Sequence, residues 1–71
     1  MKRYSVVYEP APANWAAYVP DLDGCVATGR TREEVEHRIR EAIELHIDGM
    51  REDGLPIPEP TSETGVVEVD R

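Results

Sequence analysis

The chain carries one cysteine, Cys25, among 71 residues, so no intrachain disulfide can staple it and no cysteine cluster can hold zinc. Cys25 reads as a small buried apolar residue. Basic residues are also scarce: eight Lys and Arg against fifteen Asp and Glu give a net charge of −7. Phosphate binding needs clustered Lys and Arg, so direct contact with nucleic acid is excluded as the chain's own activity. No apolar run approaches membrane length, and no signal peptide or lipidation motif is present, which makes a cytoplasmic location the expectation. No Ser, Cys or Lys sits in a nucleophile elbow or a glycine-rich phosphate loop. The two histidines, His37 and His46, fall on opposite sides of a helix and cannot share a metal. No cofactor is expected.

What remains is one small domain, residues 1–71. A chain of this length buries only ~60 to 65 % of its unfolded surface, so its core is thin and its stability marginal, and oligomerisation, a partner, a metal or disulfides often supply the missing burial. Arg3 to Glu9 alternates as a strand, with Tyr4, Val6 and Tyr8 on one face and Ser5 and Val7 on the other. Pro10 to Asn14 contains two prolines and forms a hairpin loop. Trp15 to Val19 returns as a second strand. Pro20-Asp21-Leu22-Asp23-Gly24 is turn chemistry, and Cys25 to Thr28 is a short third strand.

Thr31 followed by Glu34 is a capping box: the hydroxyl takes the Glu34 N–H and the carboxylate returns to the Thr31 N–H. Val35, Ile39, Ala42, Ile43, His46, Ile47 and Met50 then recur at helical spacing. Glu34–Arg38 and Glu36–Arg40 are favourably ordered pairs, and Gly54 is the expected stop. The helix should run from about Arg32 to Asp53. Leu55 to Pro60 alternates proline with other residues and should be extended, and Gly65 to Val69 reads as a fourth strand.

The order β-β-β-α-β predicts an α+β fold. An antiparallel meander of three strands is followed by a right-handed helical crossover that lays strand four parallel to strand one, in the order 3-2-1-4. One helix covers one face of the sheet, yet strands one and two carry apolar or aromatic residues on both faces. The second face should meet another chain, and a homodimer is the simplest expectation. Asp21-x-Asp23-Gly24 lacks the further oxygen ligands of a calcium loop, so these acids read as turn formers rather than metal ligands.

The set Tyr4 to Glu9, Tyr18-Val19-Pro20-Asp21-Leu22-x-Gly24-Cys25-Val26, Gly29-x-Thr31-x-Glu33-Glu34, Arg40-Glu41-Ala42-Ile43-Glu44 and Asp53-Gly54-x-Pro56-Ile57-Pro58-Glu59-Pro60 resembles the HicB-type antitoxin family. The resemblance implies a degenerate ribonuclease-H-like domain that neutralises a HicA-type toxin, a small basic ribonuclease with a catalytic histidine, by masking it. An acidic chain suits such a partner. Two-metal phosphodiester cleavage needs clustered carboxylates, and strand one holds Tyr4-Ser5-Val6-Val7-Tyr8 where ribonuclease H carries its first acid. An enzyme is therefore not expected. Many relatives add a C-terminal DNA-binding domain. The expectation here is that none is present and that autoregulation does not carry over. Asp23 also stands where relatives commonly have proline. The candidate partner-binding residues are Tyr8, Trp15, Tyr18, Asp21 and Asp23. The alternative is a solo HicB-like oligomeric adaptor or regulator without a toxin.

Overall fold

The computed structural model describes residues 1–71, the whole sequence, in the order β1 (Val7–Pro10), β2 (Trp15–Tyr18), β3 (Val26–Gly29) and α1 (Arg32–Glu52). The strands make one antiparallel sheet, β1-β2-β3, and with the helix they form an α+β domain. The register sets Val7, Tyr18 and Val26 in one row across the three strands and Tyr8, Ala17 and Ala27 in the next. Side chains alternate along a strand, so these rows lie on opposite faces. Tyr8, Ala17 and Ala27 face the core under the helix, and Val7, Tyr18 and Val26 face outward.

Thr31 caps the helix by accepting the Glu34 N–H at 3.0 Å. The return half of the capping box differs from expectation: the Glu34 carboxylate takes the N–H of Arg30, at 3.0 Å, one residue earlier than Thr31. Glu34 and Arg38 approach to 3.5 Å as predicted. Glu36 instead pairs with Arg32 at 2.8 Å, which leaves the expected Glu36–Arg40 pair unmade. At the far end the Gly54 N–H donates to Arg51 and the Leu55 N–H to Met50, with Gly54 at φ +69°. That is a Schellman ending, and it needs the left-handed residue that glycine supplies without strain.

The link between β3 and α1 is only Arg30 and Thr31, so the helix must begin directly above β3. Gly29 makes this possible: a Cβ at that position would lie 2.7 Å from the Val35 nitrogen. Anchored there, α1 packs on β3 and β2. The core is Ala17, Val19, Leu22, Cys25, Val35 and Ile39.

Leu22 is the unexpected member. It sits in what reads as a solvent turn, yet it is only 1 % exposed. Two successive turns bring it in: Leu22 N–H donates to Val19, and Cys25 N–H donates to Leu22. Gly24, at φ +79°, holds the third position of the second turn. The loop thus closes the end of the core with an apolar plug. Burial pushes the neighbouring Cys25 thiol up from its ordinary pKa, as expected of an inert core cysteine.

Two expectations are corrected. Strand one starts at Val7 rather than Arg3: in the observed register the residue opposite Ser5 is Pro20, which has no N–H to give. The fourth strand is also not formed: Gly65 to Val69 lies outside the sheet, and the observed order is 3-2-1. The segment before it is tied down by side chains, as described below.

A domain of this size has roughly 4–10 kcal/mol of stability in total. Leu22→Ala should remove ~2–5 kcal/mol of it, and Gly29→Ala about 1–3 kcal/mol by forcing strand and helix apart. Thermal melts should show Tm falling by roughly 4–8 °C per kcal/mol. Cys25, silent to Ellman's reagent in the native chain, should become reactive in Leu22→Ala. Unchanged melts would show that neither contact holds the fold.

Candidate protein-binding surfaces

Because the helix is held over β3 and β2, the inner face of the segment leading into β1 is only half covered. Tyr4, Val6 and Tyr8 form one wall of an open groove of about 490 Å³, and Ile39, Arg40 and Ile43 of α1 form the other. At one end the Arg32 guanidinium lies 3.4 Å from the centre of the Tyr8 ring, a cation–π contact that also holds Arg32 toward Glu36. The outer edge of β1 has no strand beside it.

At the other end the chain after the helix returns and is fastened. Asp21, in the β2–β3 turn, accepts four hydrogen bonds: from the Thr61 N–H at 3.0 Å and hydroxyl at 3.2 Å, and from the Ser62 N–H at 2.9 Å and hydroxyl at 2.8 Å. The Tyr4 hydroxyl donates to the Pro58 carbonyl at 2.6 Å, the Ser5 hydroxyl to the Ser62 carbonyl at 2.8 Å, and Lys2 meets Glu59 at 2.8 Å. The bonds from Ser62, backbone first, and then those from Thr61 hold the Asp21 carboxyl below its ordinary value. Beyond Ser62 the chain is exposed.

The opposite face of the sheet carries the row Val7, Tyr18 and Val26, with Val26 65 % exposed. Asp23 is exposed on the adjoining turn. The five candidate residues therefore do not form one patch. Tyr18 and Asp23 lie toward this outer surface, whereas Tyr8 and Trp15 pack from the inner face against the core. Asp21 is engaged with the tail. Its contacts are 40 and 41 residues away, so no local pattern could have announced them. No three His, Cys, Asp or Glu side chains converge to hold a metal ion, and no helix is long and apolar enough to cross a membrane.

Residues 4–69 match the family described as the HicB-like antitoxin of bacterial toxin–antitoxin systems. The chain belongs to this HicB-like antitoxin family. It is 36 % identical over 55 residues to an uncharacterized 14.9 kDa protein from the rep-hol intergenic region of Haemophilus phage HP1, covering 78 % of this chain and 41 % of the phage protein. It is 39 % identical over 51 residues to a UPF0150 protein of Helicobacter pylori, covering 72 % of this chain and 71 % of that one. A UPF0150 protein of Synechocystis is 38 % identical over 56 residues, again covering 71 % of its length. The chain thus spans less than half of the phage relative and most of the other two.

The lowered Asp21 pKa fixes the sign of an acid response. A carboxylate depressed in the folded state contributes fully above its ordinary value of 3.8, and that contribution is lost as pH falls through the folded value. The tail should stay fastened at neutral pH and come free only below 3.8. The Thr61 and Ser62 amide resonances should report this with an inflection in that range. Asp21→Ala should abolish their exchange protection at pH 7 while leaving the helical circular dichroism intact. Protection that survives Asp21→Ala would show that the clasp is not what fastens the tail.

Proposed function

We propose that the chain is an antitoxin-type binding module that neutralises a small, basic, HicA-type mRNA-cleaving toxin by occluding its active site. The observation that carries this reading is membership of the HicB-like antitoxin family over residues 4–69. The net charge of −7 supports it, because an acidic protein speeds and orients its encounter with a basic one. The outer sheet row supports it too: Val7, Tyr18 and Val26 offer an apolar centre, and Asp23 and Glu9 lie at its border. An apolar, aromatic centre with a polar rim is the usual anatomy of a protein interface.

On this reading Tyr18 and Asp23 touch the toxin. Tyr8 and Trp15 shape the sheet from beneath, and Asp21 acts by holding the tail. The domain is read as a degenerate ribonuclease-H-like unit that does not cut. β1 is Val7-Tyr8-Glu9-Pro10, with its one acid near the end of the strand, away from the helix acids Glu41 and Glu44. The module works in the cytoplasm, as a homodimer, without cofactor and without touching RNA or DNA itself.

Co-expression with the small basic protein encoded beside this gene tests the proposal. The pair should co-purify, and the partner's ribonuclease activity should be lost. Val26→Glu together with Tyr18→Ala should weaken the complex by at least about tenfold, since truncating anchors at the centre of an interface typically has this size of effect. The helical signal should stay unchanged because both side chains project outward. A neighbour that neither binds nor loses activity would sink the reading. An exposed apolar row serves self-association equally well, so a toxin-free oligomeric adaptor is the second reading. The absence of any adjacent basic, histidine-containing reading frame would favour it.

A further inference from the structure

Between Arg3 and Arg30 the chain has no basic residue. That stretch holds the whole sheet and the β2–β3 turn, so none of the eight Lys and Arg side chains stands on a strand. The outer face consists of two rows, Val7–Tyr18–Val26 and Glu9–Ala16–Thr28. Glu9 is its one charged residue, and the turn at its border adds Asp21 and Asp23. Asp21 is engaged by Thr61 and Ser62. Asp23 is exposed and takes no part in the chain's ion pairs, Lys2–Glu59, Arg32–Glu36 and Glu34–Arg38. A free carboxylate therefore borders an apolar face that has no cation of its own.

Where this face meets the turn there is an open hollow of about 240 Å³. Tyr18 and Val26, partners across β2 and β3, line it together with Asp23. Val19, Leu22 and Cys25 also line it, and all three belong to the buried core. Two backbone hydrogen bonds, Leu22 to Val19 and Cys25 to Leu22, hold the turn in place. The shape of the hollow is thus set by the core. No basic residue lines it.

The molecule shows on its inner face what such a pair of side chains can hold. There the Arg32 guanidinium lies 3.4 Å from the centre of the Tyr8 ring and 2.8 Å from the Glu36 carboxylate. One guanidinium is shared by a ring, through its negative face, and by a carboxylate, through a charge-assisted hydrogen bond. On the outer face Tyr18 supplies the ring and Asp23 the carboxylate.

We infer that this hollow receives an arginine side chain of the chain's basic partner. The aliphatic stem covers Val26, the guanidinium plane stacks on the Tyr18 ring, and its N–H groups donate to Asp23. Arginine suits the site better than lysine. Its planar head can stack and fork onto one carboxylate together, and it gives up its water more readily than an ammonium does. The sign of the face selects the occupant: Asp23, Glu9 and the net charge of −7 draw a basic surface and oppose a second acidic copy here. The inference rests on the antitoxin reading and names the group by which the toxin is held.

Two measurements test it. In the first, Nα-acetyl-arginine amide is titrated into the isotope-labelled full chain, with the lysine and norleucine analogues alongside. The arginine probe should shift the Asp23, Gly24 and Val26 amides and the Tyr18 ring protons. The lysine probe should shift them less and the norleucine probe not at all, and Asp23→Asn should abolish the response. In the second, the protein encoded beside this gene is bound to variants of the chain. Asp23→Asn should raise the dissociation constant roughly tenfold or more, Tyr18→Leu should weaken binding, and Tyr18→Phe, which keeps the ring, should not. Replacing the partner's arginines by methionine one at a time should single out one whose loss adds nothing to that of Asp23→Asn. Asp23 and Tyr18 are both exposed, so the helical circular dichroism should stay unchanged.

A partner that binds and is inhibited but is indifferent to Asp23→Asn would overturn the arginine site and leave the antitoxin reading standing. Losses that add for every partner arginine, an equal response to the norleucine probe, or an Asp23→Asn effect confined to self-association would overturn it too. If the neighbouring protein does not bind at all, the antitoxin reading falls by that result, and the hollow stands or falls on the arginine titration.

Discussion

The contact between Gly29 and the first turn of α1 governs the rest of the molecule. A two-residue link gives the helix no freedom to choose its place over the sheet. It must start above β3, and it can do so only because the strand ends in a residue without a side chain where the Val35 backbone passes. Helix and sheet then meet off-centre, over β3 and β2. The buried core is correspondingly displaced toward that side, and β1 keeps a half-open inner face and a bare edge. A side chain at position 29 would push the first turn of the helix off the strand. The open groove is thus a geometric consequence of how the core is built.

The second constraint is the double turn from Val19 to Cys25, which does two jobs at once. Its apolar residue, Leu22, is driven inward and plugs the core. Its acidic residue, Asp21, is thereby turned outward and sideways, where it gathers four donors from Thr61 and Ser62. The same turn ends β2 at Tyr18 and places Pro20, which has no N–H, where β1 would otherwise pair, so it also decides where β1 can begin. Core closure, strand length and the course of the tail are coupled through seven residues.

Much of this was legible in the sequence, and what was not has a common cause. Alternation gave the three strands and the placing of Tyr8 on the face opposite Val7. The Thr31 and Gly54 signals placed both helix ends to within a residue. These are local patterns, in which neighbours along the chain determine one another. The Asp21 clasp joins residues 40 and 41 positions apart, and neither an aspartate in a turn nor a Thr-Ser pair carries any mark of its distant partner. Leu22 was hidden for the opposite reason: it sits among Pro, Asp and Gly, whose turn chemistry is real but says nothing of which way an intervening side chain points. The fourth strand is not formed: Gly65 to Val69 has the local composition of a strand but lies outside the sheet. A β-propensity states that a segment fits a pleated surface, not that its own chain supplies one.

That distinction bears on what a small acidic antitoxin scaffold gains from its shape. If its partner is basic, as proposed, charge brings the two together from a distance, but screening over about 8–10 Å limits how much charge alone can hold at the surface. Affinity has to come from apolar area, and a 71-residue chain has little to spare after filling its core. Here the apolar side chains not needed inside are set out on two separate surfaces: the row Val7, Tyr18 and Val26 on the outer face, and the groove on the other side. Two faces on opposite sides of one sheet can be occupied at the same time without competing.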